Sequence, residues 1–219
     1  MSITVKNVNK IFPNSDIPVL NQINLEIDNG EFVALTGKSG SGKSTLLYII
    51  SSLDKPSSGS VLYDGVDVHS LDEKQIHDFR NTTIGFVFQF HYLLPELNVL
   101  ENVLLPARKT NQHEVLEKTA IDLLQKFGLK EKLQRFPSQL SGGEQQRVSI
   151  ARAMIMKPKY LFADEPTGNL DSKNGEIVLQ IFKEINKELQ TSIVMVTHEP
   201  DFAALAKKQI LLVDGTINS

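Results

Sequence analysis

The sequence predicts an α/β fold in which helices cover a parallel β-sheet and a further helical region is inserted. In the last third, two short apolar runs at residues 160–163 and 193–196 flank an amphipathic helical pattern at about residues 175–189. Strands separated by such a helix pair in parallel within one sheet. From about residue 99 to residue 156 the pattern is helical, with few β-branched runs. One domain with two lobes is the simplest arrangement of these segments.

The first third of the chain predicts β-structure with tight turns. Asn29-Gly30 precedes one short apolar run, and Asp64-Gly65 separates two others. Both dipeptides are strong signals for β-hairpins, so antiparallel pairing is expected in this region.

Composition excludes several classes of protein. The 219 residues include 23 Lys and Arg against 26 Asp and Glu, which disfavours a nucleic-acid partner because such proteins usually carry a basic stripe. The absence of cysteine excludes disulfides and Cys-ligated metal sites. Apolar runs are too short to cross a bilayer, and the start lacks a secretion signal, so a cytosolic location is expected.

A glycine-rich loop is the strongest functional signal. Residues 37–44 read GKSGSGKS, a full match to the phosphate-binding loop pattern, between an apolar run and a helical pattern whose dense apolar residues (46, 47, 49, 50 and 53) predict burial. The glycines let successive N–H groups face a phosphate at the positive end of a helix. Lys43 is then expected against the β- and γ-phosphates, and Ser44 on Mg²⁺. The alternative is a flexible turn with an exposed lysine.

Two acidic residues end the apolar run at residues 160–163. Because parallel strands deliver ligand groups at their carboxyl ends, Asp164 is predicted to hold the water shell of the metal and Glu165 to face the attacking water. His198 follows the next apolar run, where an imidazole would stabilise charge on the transferred phosphoryl group. The alternatives are solvated acids in a turn and a surface histidine.

A second helix start carries another glycine pair. Residues 140–147 read LSGGEQQR, in which Ser141 and Glu144 form a capping-box pattern. The cap is one interpretation. The other is a second anion site, made by the N–H groups and hydroxyl of Ser141, Gly142 and Gly143. Since a projecting helical lobe aims this end outward, the second site predicts a head-to-tail dimer around the nucleotide.

Taken in order, the glycine-rich loop, the signature at residues 140–146 and the acidic strand end at residues 160–165 resemble the ATP-binding subunits of ABC transporters. The resemblance covers nearly the whole chain, and other phosphate-loop ATPases lack that signature. It implies an α/β P-loop NTPase fold with a RecA-like core, an N-terminal antiparallel β subdomain and an inserted α-helical subdomain. The expected division of this single nucleotide-binding domain, residues 1–219, is a core at residues 1–89 and 157–219 and a helical subdomain at about residues 90–156.

The resemblance also implies ATP and Mg²⁺ as ligands and assigns further residues. Phe12 matches the aromatic residue that stacks on adenine, Gln89 the glutamine that contacts Mg²⁺ and water, and Asp171 lies in the loop that links two sites across a dimer. The expected catalytic residues are Glu165, His198, Lys43 and Gln89. The expected metal ligands are Ser44, Gln89 and Asp164. The expected nucleotide-binding residues are Phe12, Gly37, Lys38, Ser39, Gly40, Ser41, Gly42, Lys43, Ser44, Thr45, Ser141, Gly142, Gly143 and Asp171.

The segment after Gln89 is similar to a subfamily that contains lipoprotein-releasing, macrolide-exporting and cell-division ATPases. Residues 90–95 read FHYLLP, and this aromatic segment is expected on a loop where a helix of a transmembrane permease subunit docks, near Gln89 to Pro95. The alternative is that these side chains complete the core of the helical lobe. The stretch after Pro106 is shorter than in lipoprotein-releasing relatives, which leaves the member of the subfamily open.

The resemblance therefore implies an ATP-hydrolysing subunit of a bacterial ABC transporter, for lipoprotein release or export of the macrolide type. Two copies would close around two ATP molecules as a nucleotide-dependent homodimer, and the protein would lie in the cytoplasm on the inner face of the cell membrane. The alternatives are a soluble ABC-type ATPase that acts on ribosomes or DNA and a regulatory module that holds ATP without hydrolysing it.

Overall fold

The computed structural model describes residues 2–13 and 17–218. Within these residues, short 3₁₀ helices lie at Val68–Ser70, Lys130–Lys132 and Pro137–Gln139. The strands and α-helices are, in chain order, β1 (Ser2–Lys10), β2 (Leu20–Asp28), β3 (Phe32–Thr36), α1 (Lys43–Ile50), β4 (Ser58–Tyr63), β5 (Val66–Asp67), α2 (Glu73–Thr82), β6 (Ile84–Val87), α3 (Val99–Lys109), α4 (His113–Lys126), α5 (Gly142–Met154), β7 (Tyr160–Asp164), α6 (Ser172–Leu189), β8 (Ser192–Val196), α7 (Pro200–Ala203), β9 (Lys208–Val213) and β10 (Thr216–Asn218).

The N-terminal sheet has the strand order β2-β1-β4-β5, and each pair is antiparallel. Asp64-Gly65 forms the expected hairpin between β4 and β5. The hairpin expected at Asn29-Gly30 is wrong, because this turn joins β2 to β3 and these strands belong to different sheets. Gly30 has the positive φ of a tight turn, 71°. However, β3 is buried along most of its length, and it pairs in parallel with β8 and β9 instead of folding back on β2.

The central sheet has the strand order β10-β9-β3-β8-β7-β6. The strands β6, β7, β8, β3 and β9 are parallel, as the sequence predicts for residues 160–163 and 193–196. Only the edge hairpin of β9 and β10 is antiparallel among the described strands of this sheet. All residues of β7 and β8 are buried, which agrees with their continuous apolar runs.

Apolar side chains cover both faces of the central sheet. Phe32 and Leu161 pack on the face that α3, α4, α5 and α6 cover, whereas Val33 and Phe162 pack on the face covered by α1 and the N-terminal sheet. This alternation follows from the two-residue period of a strand. In α1 four of the five predicted core residues are fully buried, but Leu53 lies beyond the helix end and is exposed.

The helices α3, α4 and α5 follow β6 and precede β7, in the region where the sequence predicts helices. Capping boxes begin α3, through Asn98, and α5, through Ser141. Helix α6 begins before the predicted start at residue 175, because the Asp171 side chain accepts a hydrogen bond from the Asn174 N–H at 2.9 Å and caps Ser172 onward.

Across residues 2–13 and 17–218, no helix combines the length and the apolarity that a membrane span requires.

Candidate active site

The carboxyl ends of β3, β7 and β8 face a cavity of about 470 Å³. The loop after β3, the residue after β7 and the second residue after β8 all reach it. This is the edge at which parallel sheets bind ligands. The cavity is lined by Val19, Gly37, Lys38, Ser39, Gly40, Gly42, Lys43, Ser44, Thr45, Glu165 and His198.

Two glycines of the loop are required by its geometry. Gly37 has a φ of 138°, and a Cβ atom there would lie 2.2 Å from the Leu212 carbonyl oxygen. Gly42 has a φ of 99°, and its Cβ would lie 2.8 Å from Leu20 Cδ2. Any other residue would therefore move the loop off β9 or β2. The loop is thus a fixed cradle, and not the flexible turn that was the alternative interpretation.

The polar groups of the cradle fit a polyphosphate. Lys43 is 7% exposed, and its Nζ donates to the carbonyl oxygens of Gly37 and Lys38 at 3.0 and 2.9 Å. Ser41 Oγ is buried with no hydrogen-bond partner among the described residues. Both groups lie at the N-terminus of α1, where the helix dipole is positive. A buried hydroxyl and a buried ammonium beside open N–H groups suit an anionic ligand.

Asp164 ends β7 and is held by two hydroxyl groups of α1. Its Oδ1 accepts from Ser44 Oγ at 2.9 Å, and its Oδ2 accepts from the Tyr48 hydroxyl at 2.7 Å. Burial, and next the hydrogen bond to Asp164, raise the pKa of Tyr48 well above its usual value, so the phenol stays protonated and donates. A hydroxyl beside a carboxylate suits Mg²⁺, which keeps several waters and substrate oxygens as ligands. Among the described residues, no group of three or more His, Cys, Asp or Glu side chains is placed to hold a metal ion.

Glu165 and His198 come together across the mouth of the cavity. Glu165 has a φ of 44°, a left-handed conformation that is unfavourable for a residue with a Cβ atom, and its N–H donates to Val196 O at 3.0 Å. Glu165 Oε1 lies 3.4 Å from Nδ1 of His198, whose side chain is 61% exposed. The Thr167 hydroxyl donates to Glu199 Oε1 at 2.6 Å and ties the two loops together. Neither Asp164 nor Glu165 is therefore simply solvated in a turn.

Gln89 is not among the described residues that line the cavity. It follows Phe88, whose carbonyl accepts from Gln146 Nε2 of α5 at 3.3 Å, and its own carbonyl accepts from Asn169 Nδ2 at 3.4 Å. Its side-chain Nε2 would lie 2.9 Å from a Cβ at Gly168. Gln89 is therefore packed between α5 and the loop that follows Glu165.

The signature residues lie away from the cavity of their own chain. Ser141 accepts from the Glu144 N–H at 3.3 Å while Glu144 Oε2 accepts from the Ser141 N–H at 2.8 Å, which confirms the capping box. The latter bond is the main cause of the lowered pKa of Glu144. Ser141 and Gly142 are exposed, whereas Gly143 is buried so closely against Asn174 that a Cβ would lie 2.2 Å from its Oδ1.

Asp171 is also outside this cavity, next to α5. Besides capping α6, its Oδ2 accepts from Asn174 Nδ2 at 2.7 Å, and Asn174 Oδ1 accepts from Arg147 at 3.2 Å. The Asn174 backbone N–H, followed by its side chain, lowers the pKa of Asp171. Asp171 lines a second cavity of about 430 Å³, which shares His198 with the first.

Phe12 is not among the described residues that line the cavity. Its ring is 42% exposed, and Lys10 Nζ lies 5.0 Å from the ring centroid. The Lys10 ammonium therefore covers part of the Phe12 ring, and the rest of the ring is available to stack on a base.

The aromatic segment at residues 90–95 is a loop, as expected, and most of its large side chains face solvent. Phe90 is 60% and Tyr92 63% exposed, whereas Leu93 packs on the core. Arg152 of α5 holds the loop by donating to the carbonyl oxygens of His91 and Tyr92 at 2.7 and 2.6 Å. Burial, and next the Arg152 charge, lower the pKa of His91.

Sequence reasoning missed Tyr48, Thr167 and Glu199. Tyr48 follows Ser44 by one helical turn, and this i, i+4 spacing could have placed both hydroxyls on one face of the helix. Thr167 and Glu199 have no such local signal, because their bond joins loops after two different strands.

Comparison with known protein families gives a match over most of the chain. A family model described as ABC transporter matches residues 20–168. The lipoprotein-releasing system ATP-binding protein LolD of Leptospira interrogans is 52% identical over 217 residues, which cover 99% of this chain and 91% of that protein. The LolD protein of Aquifex aeolicus is 50% identical, covering 97% of this chain and 94% of that protein.

Solved structures give the same result for the fold. A dimeric structure of MJ0796, a bacterial ABC transporter cassette, is 41% identical with a TM-score of 0.90, covering 99% of this chain and 97% of that chain. A dimeric post-hydrolysis state of the same ATP-binding cassette, bound to ADP and Pi, is 39% identical with a TM-score of 0.88 and the same coverage.

Proposed function

Because the chain belongs to the ABC transporter family, we propose that it is the ATP-hydrolysing subunit of a lipoprotein-releasing system. The observation that carries the proposal is the cavity in which the glycine cradle, Glu165 and His198 meet, with Asp164 fixed at its side. The curated relatives that are 52% and 50% identical bear the name of such a system. The match to them extends over nearly the whole chain, so the proposal does not depend on a shared subdomain.

The cradle binds the phosphates of ATP. Lys43 already bridges Gly37 and Lys38 at the place where negative charge is expected, and its ammonium turns from these carbonyl oxygens to the β- and γ-phosphates. When bound, Mg²⁺ supplies a positive charge that offsets the charge of the same two phosphates. Ser44, Asp164 and Gln89 would hold it, either directly or through water. Phe12 is proposed to stack on adenine.

Glu165 and His198 carry the chemistry in this proposal. The Glu165 carboxylate orients a water molecule in line with the β,γ-bond and accepts its proton. His198, 3.4 Å from Glu165, donates to the phosphoryl oxygens as charge develops on them. The bond between Thr167 and Glu199 fixes the loops that bear these two groups, so their separation is set before ATP binds.

The site is completed by a second copy of the chain. Ser141, Gly142 and Gly143 do not line the cavity of their own chain and are proposed to bind the γ-phosphate of ATP held by the partner, with Asp171 at the contact. The dimeric cassettes among the structural neighbours support this arrangement. We propose that the exposed segment near Gln89 to Pro95 docks a transmembrane permease subunit, on the cytoplasmic face of the membrane.

The Glu165→Gln variant tests the assignment of the base. We expect ATP binding to be preserved, hydrolysis to fall by about 100-fold or more, and an ATP-bound dimer to accumulate. Phosphate release and size-exclusion chromatography with light scattering measure these outcomes. Glu114→Gln, at an exposed position in the first turn of α4, is the matched control and should behave as the wild type. Full turnover by Glu165→Gln would remove the residue from this role.

The assignment to lipoprotein release needs a separate assay. The tagged chain is purified from membranes with its permease and reconstituted into vesicles that carry a lipidated reporter protein. We expect ATP-dependent release of the reporter, and none from the same vesicles with Glu165→Gln. Release of a macrolide but not of the reporter would assign the chain to the other branch of the subfamily.

A further inference from the structure

The Tyr48 side chain lies beside the cavity, although no motif of the nucleotide site includes it. Its hydroxyl and that of Ser44 approach the same carboxylate from one face of α1. Tyr48 donates to Asp164 Oδ2 at 2.7 Å and Ser44 to Oδ1 at 2.9 Å. Since Asp164 is 8% exposed, water replaces these donors poorly. Both carboxylate oxygens are therefore oriented by α1.

The Tyr48 ring also begins a series of aromatic contacts. Its centroid lies 5.8 Å from that of Phe86 on β6. Phe86 lies 4.3 Å from Phe88, and Phe88 meets Tyr92 edge to face at 5.1 Å. We call these four rings the aromatic column. Its separations are those of directly packed rings, so a displacement of one ring acts on its neighbour.

The two ends of the aromatic column lie at different functional surfaces. At one end the Tyr48 hydroxyl is bonded to Asp164. At the other end Tyr92 is exposed on the segment at residues 90–95, and its ring lies 6.4 Å from that of Phe90. Arg152 fixes the backbone of this segment. A small displacement of the aromatic column would therefore act on the exposed rings and on the backbone hydrogen bonds that hold this segment to α5.

We propose that Tyr48 is a positioning residue that holds Asp164 for Mg²⁺, and that the aromatic column links the position of Asp164 to the permease-docking segment. This inference rests on the proposed function, in which Asp164 is a metal ligand. The Ser44 hydroxyl could bind the metal through a lone pair while its proton stays on Oδ1. Tyr48 remains on Oδ2 and keeps the carboxylate oriented, as hydrogen-bonded neighbours of metal ligands generally do.

The first test is the Mg²⁺ requirement of Tyr48→Phe. This variant keeps the ring contact with Phe86 and removes only the hydroxyl. We expect the Mg²⁺ concentration that half-saturates binding of a fluorescent, non-hydrolysable ATP analogue to rise roughly 10-fold. Binding of the analogue without Mg²⁺ should be unchanged. An unchanged Mg²⁺ requirement would overturn the positioning role.

Tyr63→Phe is the matched control for the lost hydroxyl. Tyr63 donates to the Ile50 carbonyl oxygen at 2.7 Å and meets Phe79 and Tyr160 edge to face, outside the cavity. The variant loses a bond of the same length from a buried phenol, so its thermal stability should fall while its Mg²⁺ requirement stays at the wild-type value. A shift as large as that of Tyr48→Phe would show that general loosening of the fold is the cause.

The second test follows the aromatic column by hydrogen exchange. In the wild type, we expect addition of Mg²⁺ and the analogue to change amide exchange in a peptide that covers residues 88–95. Tyr48→Phe and Phe86→Leu should both lose this change, although Phe86→Leu retains the bond to Asp164. Phe88→Leu interrupts the aromatic column at its next ring and replaces Phe86→Leu if that variant does not fold. A wild-type response in these variants, or no response in the wild type, would overturn the link to the docking segment.

Asp164→Asn separates this inference from the function on which it rests. If Asp164→Asn raises the Mg²⁺ requirement and Tyr48→Phe does not, the metal site stands and the role of Tyr48 fails. If Asp164→Asn has no effect, the metal assignment itself fails. An effect of Tyr48→Phe in that second case would mean that Tyr48 acts through another group, which also contradicts the inference.

Discussion

Two helix N-termini are proposed to bind phosphate, and they differ in how far their own side chains cap the first backbone N–H groups. The N-cap of helix α1 is Gly42, which has a left-handed conformation, and within this described helix no side chain caps the end and no acid lies in the first turn. The N-cap of helix α5 is Ser141, which forms a complete capping box with Glu144, and Glu144 also places a negative charge in the first turn. The N-terminus of α1 is therefore open to an anionic ligand, whereas the N-terminus of α5 already carries the Glu144 carboxylate.

The difference shows which end can bind a ligand alone. The first N–H groups of any helix lack partners within the helix, so the open end of α1 gains most from a phosphate. The α5 end is stable without one, but the hydroxyl of Ser141 accepts from Glu144 and still has a proton to donate. The cap and the second phosphate site are therefore compatible. We expect α1 to decide ATP affinity and α5 to act only when a partner presents its nucleotide.

The largest expected effect is at α1. Lys43→Ala removes the ammonium at the open end, and ATP affinity should fall by about 100-fold, because a charge-assisted hydrogen bond to phosphate contributes about 3 kcal/mol. Titration with a fluorescent nucleotide measures the affinity. Lys183→Ala, on the exposed face of α6, controls for the loss of one positive charge. Unchanged affinity in Lys43→Ala would contradict the assignment of the cradle.

The next effect, at α5, should appear in turnover and not in binding. Ser141→Ala removes the donor to the partner's phosphate, so hydrolysis should fall by about 10- to 100-fold while ATP binding by the monomer stays near the wild-type value. Loss of the cap should also lower stability by about 1 kcal/mol. Steady-state phosphate release and nucleotide titration separate the two quantities.

Asp72→Ala is the matched control for the lost cap. Asp72 begins α2 with a capping box of the same kind, in which its side chain accepts from Gln75 N–H at 2.7 Å. The variant should lose a similar amount of stability and keep its hydrolysis rate. If Ser141→Ala also kept full hydrolysis, the helix cap would be the only function of Ser141.

The same contrast explains what the sequence could predict. The cradle is one contiguous pattern, so the sequence predicts a loop between a strand and a helix, which β3 and α1 confirm. The contact of Lys43 with phosphate stays a prediction. The bond between Tyr48 and Asp164 joins residues 116 positions apart, and a local pattern does not contain such a pair. Asn29-Gly30 predicted its turn but not the partner of the next strand, which the burial of β3 decides. The stacking role of Phe12 and the boundaries of the helical subdomain stay predictions.

The smallest expected effect is that of the Glu144 charge, at the N-terminus of α5, on the stability of the fold. The Ser141 N–H and then the Lys132 side chain lower the pKa of Glu144 below its ordinary value of 4.5. A carboxylate that binds a proton less readily in the folded protein stabilises the fold above its unfolded pKa, and this contribution is lost as pH falls below 4.5 toward the folded pKa. At pH 7, Glu144→Gln should therefore melt at most about 4 °C below the wild type, the effect of about 1 kcal/mol expected for an exposed ion pair.

The difference between Glu144→Gln and the wild type should shrink as the pH falls below 4.5, because the Glu144 carboxylate is then progressively protonated. Glutamine keeps the cap, since Gln75 accepts from the Asp72 N–H at 3.1 Å in the same position of α2. The comparison therefore isolates the charge, and thermal melts at several pH values measure it. A constant difference from pH 3 to pH 7 would assign the effect to the cap geometry instead. Removal of the charge should also leave ATP affinity unchanged, because affinity depends on the open end of α1.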